Sequence, residues 1–90
     1  MTYKLAFTVS AKKDWDKLDG SIKQQFKKQF EKILQNPHIP KNRLSGQQDF
    51  VYKIKLKSVA YRLIYKVEDQ KLLVIVIALG KRDTVYSNLN

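Results

Sequence analysis

The sequence predicts an α+β fold: a four-stranded, mostly antiparallel sheet with two helices packed on one face, in the order β-α-α-β-β-β. Three observations carry that expectation. Three segments alternate apolar and polar residues with a period of two, the mark of a strand with one buried face. Two stretches after the first of them place apolar residues at helical spacing. Residues 72 to 79, LLVIVIAL, are apolar on both faces and rich in β-branched side chains, as an interior strand requires. Ninety residues suffice for one domain, spanning 1–90.

The first strand runs from Tyr3 to Val9, with Tyr3, Leu5, Phe7 and Val9 inward. Ser10 offers the cap of a first helix, in which Ala11, Trp15, Leu18 and Ile22 form one stripe opposite Lys12, Lys13, Asp14, Asp16 and Lys17. Asp19-Gly20-Ser21 interrupts it. Ser21 can cap a second helix with a stripe of Ile22, Phe26, Phe30, Ile33 and Leu34. That helix ends at Asn36-Pro37, because a residue before proline is pushed out of the helical region. Residues 37 to 49 hold both prolines and a glycine and read as a loop with Leu44 tucked inward. Phe50, Tyr52, Ile54 and Leu56 then alternate with Val51, Lys53, Lys55 and Lys57. After a turn at Ser58-Val59-Ala60, Tyr61, Leu63, Tyr65 and Val67 alternate with Arg62, Ile64 and Lys66. If the last three strands form a meander, the fourth has the first as its other neighbour.

Composition narrows the function. Lys and Arg number 18 against 8 Asp and Glu, a formal charge of +10 and a pI near 9.9. Such an excess attracts polyanions, nucleic acid before anionic membrane. No segment approaches the roughly 18 unbroken apolar residues of a membrane span, and no secretion signal is present, so a cytoplasmic location is expected. The absence of cysteine excludes disulfides and thiolate catalysis. The single His38 has no acidic cluster beside it for ordinary zinc ligation. A domain this small buries only about 60 to 65% of its unfolded surface, so the site should be an open groove. Trp15, Phe26 and Phe30 read as core, His38 as a surface loop residue, and Asp14, Asp16, Glu68 and Asp69 as solvated or turn residues.

The period of two sets Lys53, Lys55 and Lys57 on one strand face at intervals of about 6.6–6.8 Å, with Arg62 across the hairpin. By itself such a strip reads first as a solvated face or a guarded sheet edge. Gly80-Lys81-Arg82 adds cations after the buried strand, and Tyr86 follows.

These residues carry a resemblance. The run YKIKLKSVAYRLIYKVEDQKLLVIVIALGKR, Tyr52 to Arg82, resembles the RelE branch of the RelE/ParE toxin superfamily. The likeness extends from Tyr3 through the helical hairpin, Asn36-Pro37 and Leu44-x-Gly46 to Tyr86. It implies the toxin of a type II toxin–antitoxin system, an mRNA interferase that enters the ribosomal A site, cuts the codon there and is silenced by a RelB-like antitoxin. The implied catalytic set is Lys53, Lys55, Arg62, Arg82 and Tyr86. Lys57, Lys81 and Arg43 are the further cations expected to hold RNA or the ribosome. No metal or organic cofactor is expected. The partners implied are mRNA, ribosomal RNA and the antitoxin, with a free monomer that becomes a heteromer on inhibition.

In the reaction so implied, the ribose 2′-OH attacks its own 3′-phosphate. It leaves a 2′,3′-cyclic phosphate or its opened form and a 5′-OH end. The residues leave two roles open for Lys55, proton acceptor or fixed cation beside the phosphorane. Arg62, planar and always charged, suits a bidentate phosphate clamp, and Arg82 suits stabilisation of the leaving oxygen. Three departures from the family pattern stand out. Ser45 occupies the place of an arginine, only DTV separates Arg82 from Tyr86, and the stop at Asn90 leaves the family's C-terminal helix absent or stunted. Two other functions compete: a ParE-like gyrase poison, against which the full cation set argues, and a non-catalytic RNA- or ribosome-binding module.

Overall fold

In a computed structural model of the chain, which describes residues 2–44, 50–56 and 59–81, β1 (Lys4–Phe7) leads into α1 (Val9–Asp16) and α2 (Gly20–Ile33). The strands β2 (Val51–Lys55), β3 (Tyr61–Glu68) and β4 (Leu73–Lys81) follow, with 3-10 turns at Pro40–Asn42 and Asp69–Lys71. The sheet order is β1-β4-β3-β2. β1 lies parallel to β4, and the other two pairings are antiparallel. The expected topology is therefore observed, including the central place of the all-apolar strand.

Element boundaries differ from the sequence expectation where a polar backbone group finds a better partner. The N–H of Thr8 still pairs with the carbonyl of Val76, at 3.0 Å, and its hydroxyl accepts from the N–H of Ala11 at 3.2 Å. Thr8, not Ser10, is thus the cap of α1. Val9 opens the helix and is 77% exposed instead of lying inside a strand. The chain leaves α1 at Lys17, so the stripe from Ala11 to Ile22 is shared between two helices. Asp19 rather than Ser21 precedes α2. Leu72, expected in the last strand, closes the turn before it with a left-handed φ of 53°. Phe50, expected inward, is 44% exposed at the entry to β2. The hairpin turn drawn at residues 58–60 lies partly outside the described residues, as does the end of the loop after Leu44.

Both helices cover one face of the sheet. Trp15 centres the aromatic contact, 5.4 Å from Phe7, 5.6 Å from Phe30 and 6.2 Å from Phe26 between ring centroids. Such tilted pairs add packing beyond the area they bury. Tyr52, Ile54, Leu63, Tyr65, Val67, Val74, Val76 and Leu79 complete this core from the sheet side. The buried hydroxyl of Tyr65 donates to the carbonyl of Pro37 at 2.9 Å, which ties the end of the helical layer to the sheet; burial holds this phenol well above its ordinary range.

The opposite face is partly dry as well. Val51, Ile64 and Ala78 are buried there, with Leu44 and Ile77 packed beside them, so the inward placement of Leu44 is observed. One irregularity makes this possible: Ile64 pairs with Ala78 but Tyr65 with Val76, so Ile77 is an extra residue in β4. A bulge of this kind reverses which side chains face which way beyond it. Val74 and Val76 precede it and Leu79 follows it, yet all three reach the helix-side core.

The capping assignment is directly testable. Thr8→Ala should lower stability by about 1 kcal/mol in urea unfolding, and Ser10→Ala should stay within about 0.5 kcal/mol of the parent; equal losses would restore Ser10 as the cap.

Candidate functional site

The hairpin of β2 and β3 sets the geometry of the cationic strip. Val67 N–H bonds to Phe50 and Leu56 N–H to Tyr61 across the two strands, so the even-numbered positions of β2 are the hydrogen-bonded ones. Lys53 opposite Ile64 and Lys55 opposite Arg62 are then non-hydrogen-bonded pairs. In such pairs the Cα atoms approach to about 4.5 Å and the side chains lie closest. Lys55 and Arg62 therefore stand side by side on the face away from the helices. Lys53 joins them one pleat further on. Like charges directly opposite one another oppose folding, typically by about 0.2–1 kcal/mol, which makes this pairing hard to account for by stability.

Arg62 is half-buried, and its Nη1 donates to the carbonyl of Tyr61 at 3.2 Å. Among the described residues, no carboxylate forms an ion pair with Lys53, Lys55 or Arg62. On the other side of Arg62 the β4 neighbour is Gly80. Its φ of +151° strains any L side chain, and among the described residues nothing lies within 4 Å of where a Cβ would stand. The strip thus has a cation on one flank of Arg62 and a vacant strand position on the other. Toward the sheet interior it is bounded by the buried Val51, Ile64 and Ala78.

The other expected site residues are placed differently. Lys81 pairs with Tyr61 and lines a depression with Asp14, Lys17 and Leu18, on the helix side of the sheet, so it does not join the strip. Alternation along β4 is the reason, since adjacent residues 80 and 81 face opposite ways. Arg43 stacks on the exposed Phe50, 4.8 Å from the ring centroid, and is likewise separate from the strip. Lys57, Arg82, Tyr86 and Ser45 lie outside the described residues.

A polar constellation not visible in the sequence occupies the far end of the sheet. The Oδ1 of Asp69 accepts from Tyr3 Oη at 2.6 Å and meets His38 Nε2 at 2.7 Å; His38 Nδ1 meets Tyr52 Oη at 2.6 Å. A carboxylate only accepts, so in neutral His38 the proton sits on Nε2, and Nδ1 accepts from Tyr52. His38 thus bridges β2 and the turn after β3, and is half-buried rather than a free surface residue. The hydrogen bonds from His38 and Tyr3, in that order, hold the Asp69 carboxyl below its usual range; the bond to Asp69 in turn raises the Tyr3 phenol. Burial raises the Tyr52 phenol.

The ParE toxin family of type II toxin–antitoxin systems (parDE) matches residues 5–86. The chain is 46% identical to the mRNA interferase toxin RelE of Escherichia coli K12 over 97% of its own length and 93% of the relative's. The chain belongs to the RelE/ParE toxin superfamily. A putative RelE-like toxin protein of E. coli is 47% identical, over 92% of this chain and 86% of that one. A double arginine-to-alanine mutant of E. coli RelE in the free state superposes with a TM-score of 0.88 at 44% identity, over 98% of this chain and 94% of that one. RelE in the intact E. coli RelBE toxin–antitoxin complex gives 0.84 at 46% identity, over 88% and 95%. Among the described residues, no helix of this RelE/ParE member is long and apolar enough to cross a membrane.

Two measurements follow from these arrangements. Lys55→Gln should raise stability by about 0.2–1 kcal/mol at low salt by relieving repulsion from Arg62, and the gain should shrink in 1 M salt. Asp69→Asn should destabilise the protein at neutral pH. Because the folded-state pKa of Asp69 is depressed, that contribution is present above the unfolded value near ~3.9 and is lost as pH falls through the folded one. Unfolding curves of parent and variant should therefore converge below about pH 4; a constant gap down to pH 2 would contradict the assignment.

Proposed function

We propose that this protein is the toxin of a type II toxin–antitoxin pair and an mRNA endoribonuclease that cuts codons in the ribosomal A site. The carrying observation is the Lys55–Arg62 pair with Gly80 alongside, in a chain 46% identical to an mRNA interferase RelE. The same likeness favours RNA cleavage over gyrase poisoning. A RelB-like antitoxin as the silencing partner and a cytoplasmic location belong to this reading; the relative solved with RelB supports the former.

The scissile phosphate is placed over the position flanking Gly80, where Arg62 reaches it with two donors in a plane. Lys55 lies beside it and Lys53 next along the strand. As the 2′-oxygen bonds to phosphorus, its proton passes to water and the equatorial oxygens gain charge. Fixed cations that need no rearrangement stabilise that charge most effectively. The bond from phosphorus to the 5′-oxygen then breaks and that oxygen takes a proton from water, giving a 2′,3′-cyclic phosphate and a 5′-OH end. The family pattern adds Arg82, suited to the leaving oxygen, and Tyr86 to the catalytic set. Holding the 2′-OH in line with that bond is a task for the ribosome-bound message as much as for the protein, since orientation alone removes several kcal/mol from such barriers.

Translation in a purified system with a programmed A-site codon tests the reading. The protein should leave 5′-OH ends in message on ribosomes and spare the same RNA free in solution. Arg62→Ala should lower the single-turnover rate by about 100-fold or more with a much smaller loss of ribosome affinity. Intact message alongside normal ribosome binding would establish the non-catalytic binding module instead.

A further inference from the structure

The cleavage site leaves a second cationic surface unexplained. Gln25, Lys28, Gln29 and Lys32 recur at helical spacing on the polar side of α2, and with Lys55 and the buried Leu56 they line a groove of about 260 Å³. That volume lies below the ~300–1,000 Å³ of small-molecule pockets, and the groove is open. Among the described residues lining it there are three lysines and no carboxylate. Lys28 and Lys32 are one turn apart, a rise of about 6 Å, so two successive charges face an extended ligand along its length.

The sheet edge contributes to the same side. β2 is the outermost strand. Its hydrogen-bonded positions face β3, and Arg43 and Leu44 bridge its outer side at Tyr52 and Val51, so beyond that bridge the backbone N–H of Lys55 turns to the outer edge. Backbone amides and lysines are the donors that position nucleic-acid phosphates. Lys55 lines both this groove and the strip, which makes the two surfaces continuous.

We propose that the groove between α2 and the outer edge of β2 carries the phosphates of the message strand beyond the bond being cut. The inference rests on the RNA-cleavage reading and extends it to a path for the substrate. An acidic protein segment is a poorer fit, because protein interfaces close around an apolar centre and this groove offers a single buried leucine. Nucleic-acid interfaces are more polar and far more positive. Continuity through Lys55 favours the strand already lying on the strip over a separate ribosomal RNA.

The test uses ribosomes programmed with messages carrying a 2′-O-methyl group at the cut site, truncated at successive nucleotides on either side of it. Affinity of the parent protein should rise as the message is extended on one side only. The double variant Lys28→Gln/Lys32→Gln should lose that increment, and its log–log salt dependence should fall by about 1.4, near 0.7 for each single-strand phosphate. Lys28→Arg/Lys32→Arg, which keeps both charges, should retain it. An equal loss on ribosomes whose message lacks the extension would assign the groove to ribosomal RNA, a loss confined to antitoxin affinity would assign it to protein, and no change would leave it a solvated face; each overturns the proposal. Binding to the blocked message is read without cleavage, so failure of the nuclease reading shows separately, as uncut message in the unblocked control.

Discussion

Burial of β4 on both faces and both edges is the constraint on which the rest of the structure depends. Its neighbours are β1 and β3, its helix-side residues Val74, Val76 and Leu79 meet the core beneath α1 and α2, and Ala78 meets Val51 and Ile64 on the other side. The extra residue at Ile77 is what lets one strand serve both clusters. It also determines what lies next to Arg62. The register from Tyr65 onward, continued without the bulge, would set Leu79 opposite Arg62; the bulge sets Gly80 there instead. A packing adjustment in the core thereby clears a side chain from the cationic face.

That link shows which features the sequence displays and which it conceals. Strict alternation in β2 and β3 exposes the grouping of Lys53, Lys55 and Arg62, because a short hairpin converts sequence spacing directly into cross-strand neighbours. LLVIVIAL offers no such guide: with every position apolar, nothing marks where parity changes, and the bulge is invisible. Gly80-Lys81-Arg82 reads as one cluster in sequence, yet the strand continues through Lys81 and sends it to the helix side. Val9 and Phe50 escape the alternation for a related reason. An apolar residue at the end of an alternating run has the right period whether or not the strand reaches it.

The Tyr3–Asp69–His38–Tyr52 constellation is a different case. Its members come from four separate places in the chain, and each has an ordinary local explanation as a strand end, a turn acid or a loop histidine. Only the tertiary fold brings them within hydrogen-bond distance. It fastens the loop after α2 and the β3–β4 turn at the end of the sheet away from Lys55 and Arg62. The half-exposed end is held by directional polar contacts, and at the other end no carboxylate among the described residues pairs with Lys55 or Arg62.

The parallel pairing of β1 with β4 also bears on the order of assembly. It joins residue 4 to residue 73, whereas the hairpin of β2 and β3 closes over a few residues. Contacts of long sequence separation form late and slowly. During synthesis the basic hairpin can therefore form early, but it has no rigid backing and no glycine beside Arg62 until β4 has entered between β1 and β3. For a protein whose proposed target is the ribosome, this topology postpones arming: a nascent fragment that ends before Gly80 carries the cations without the site they make.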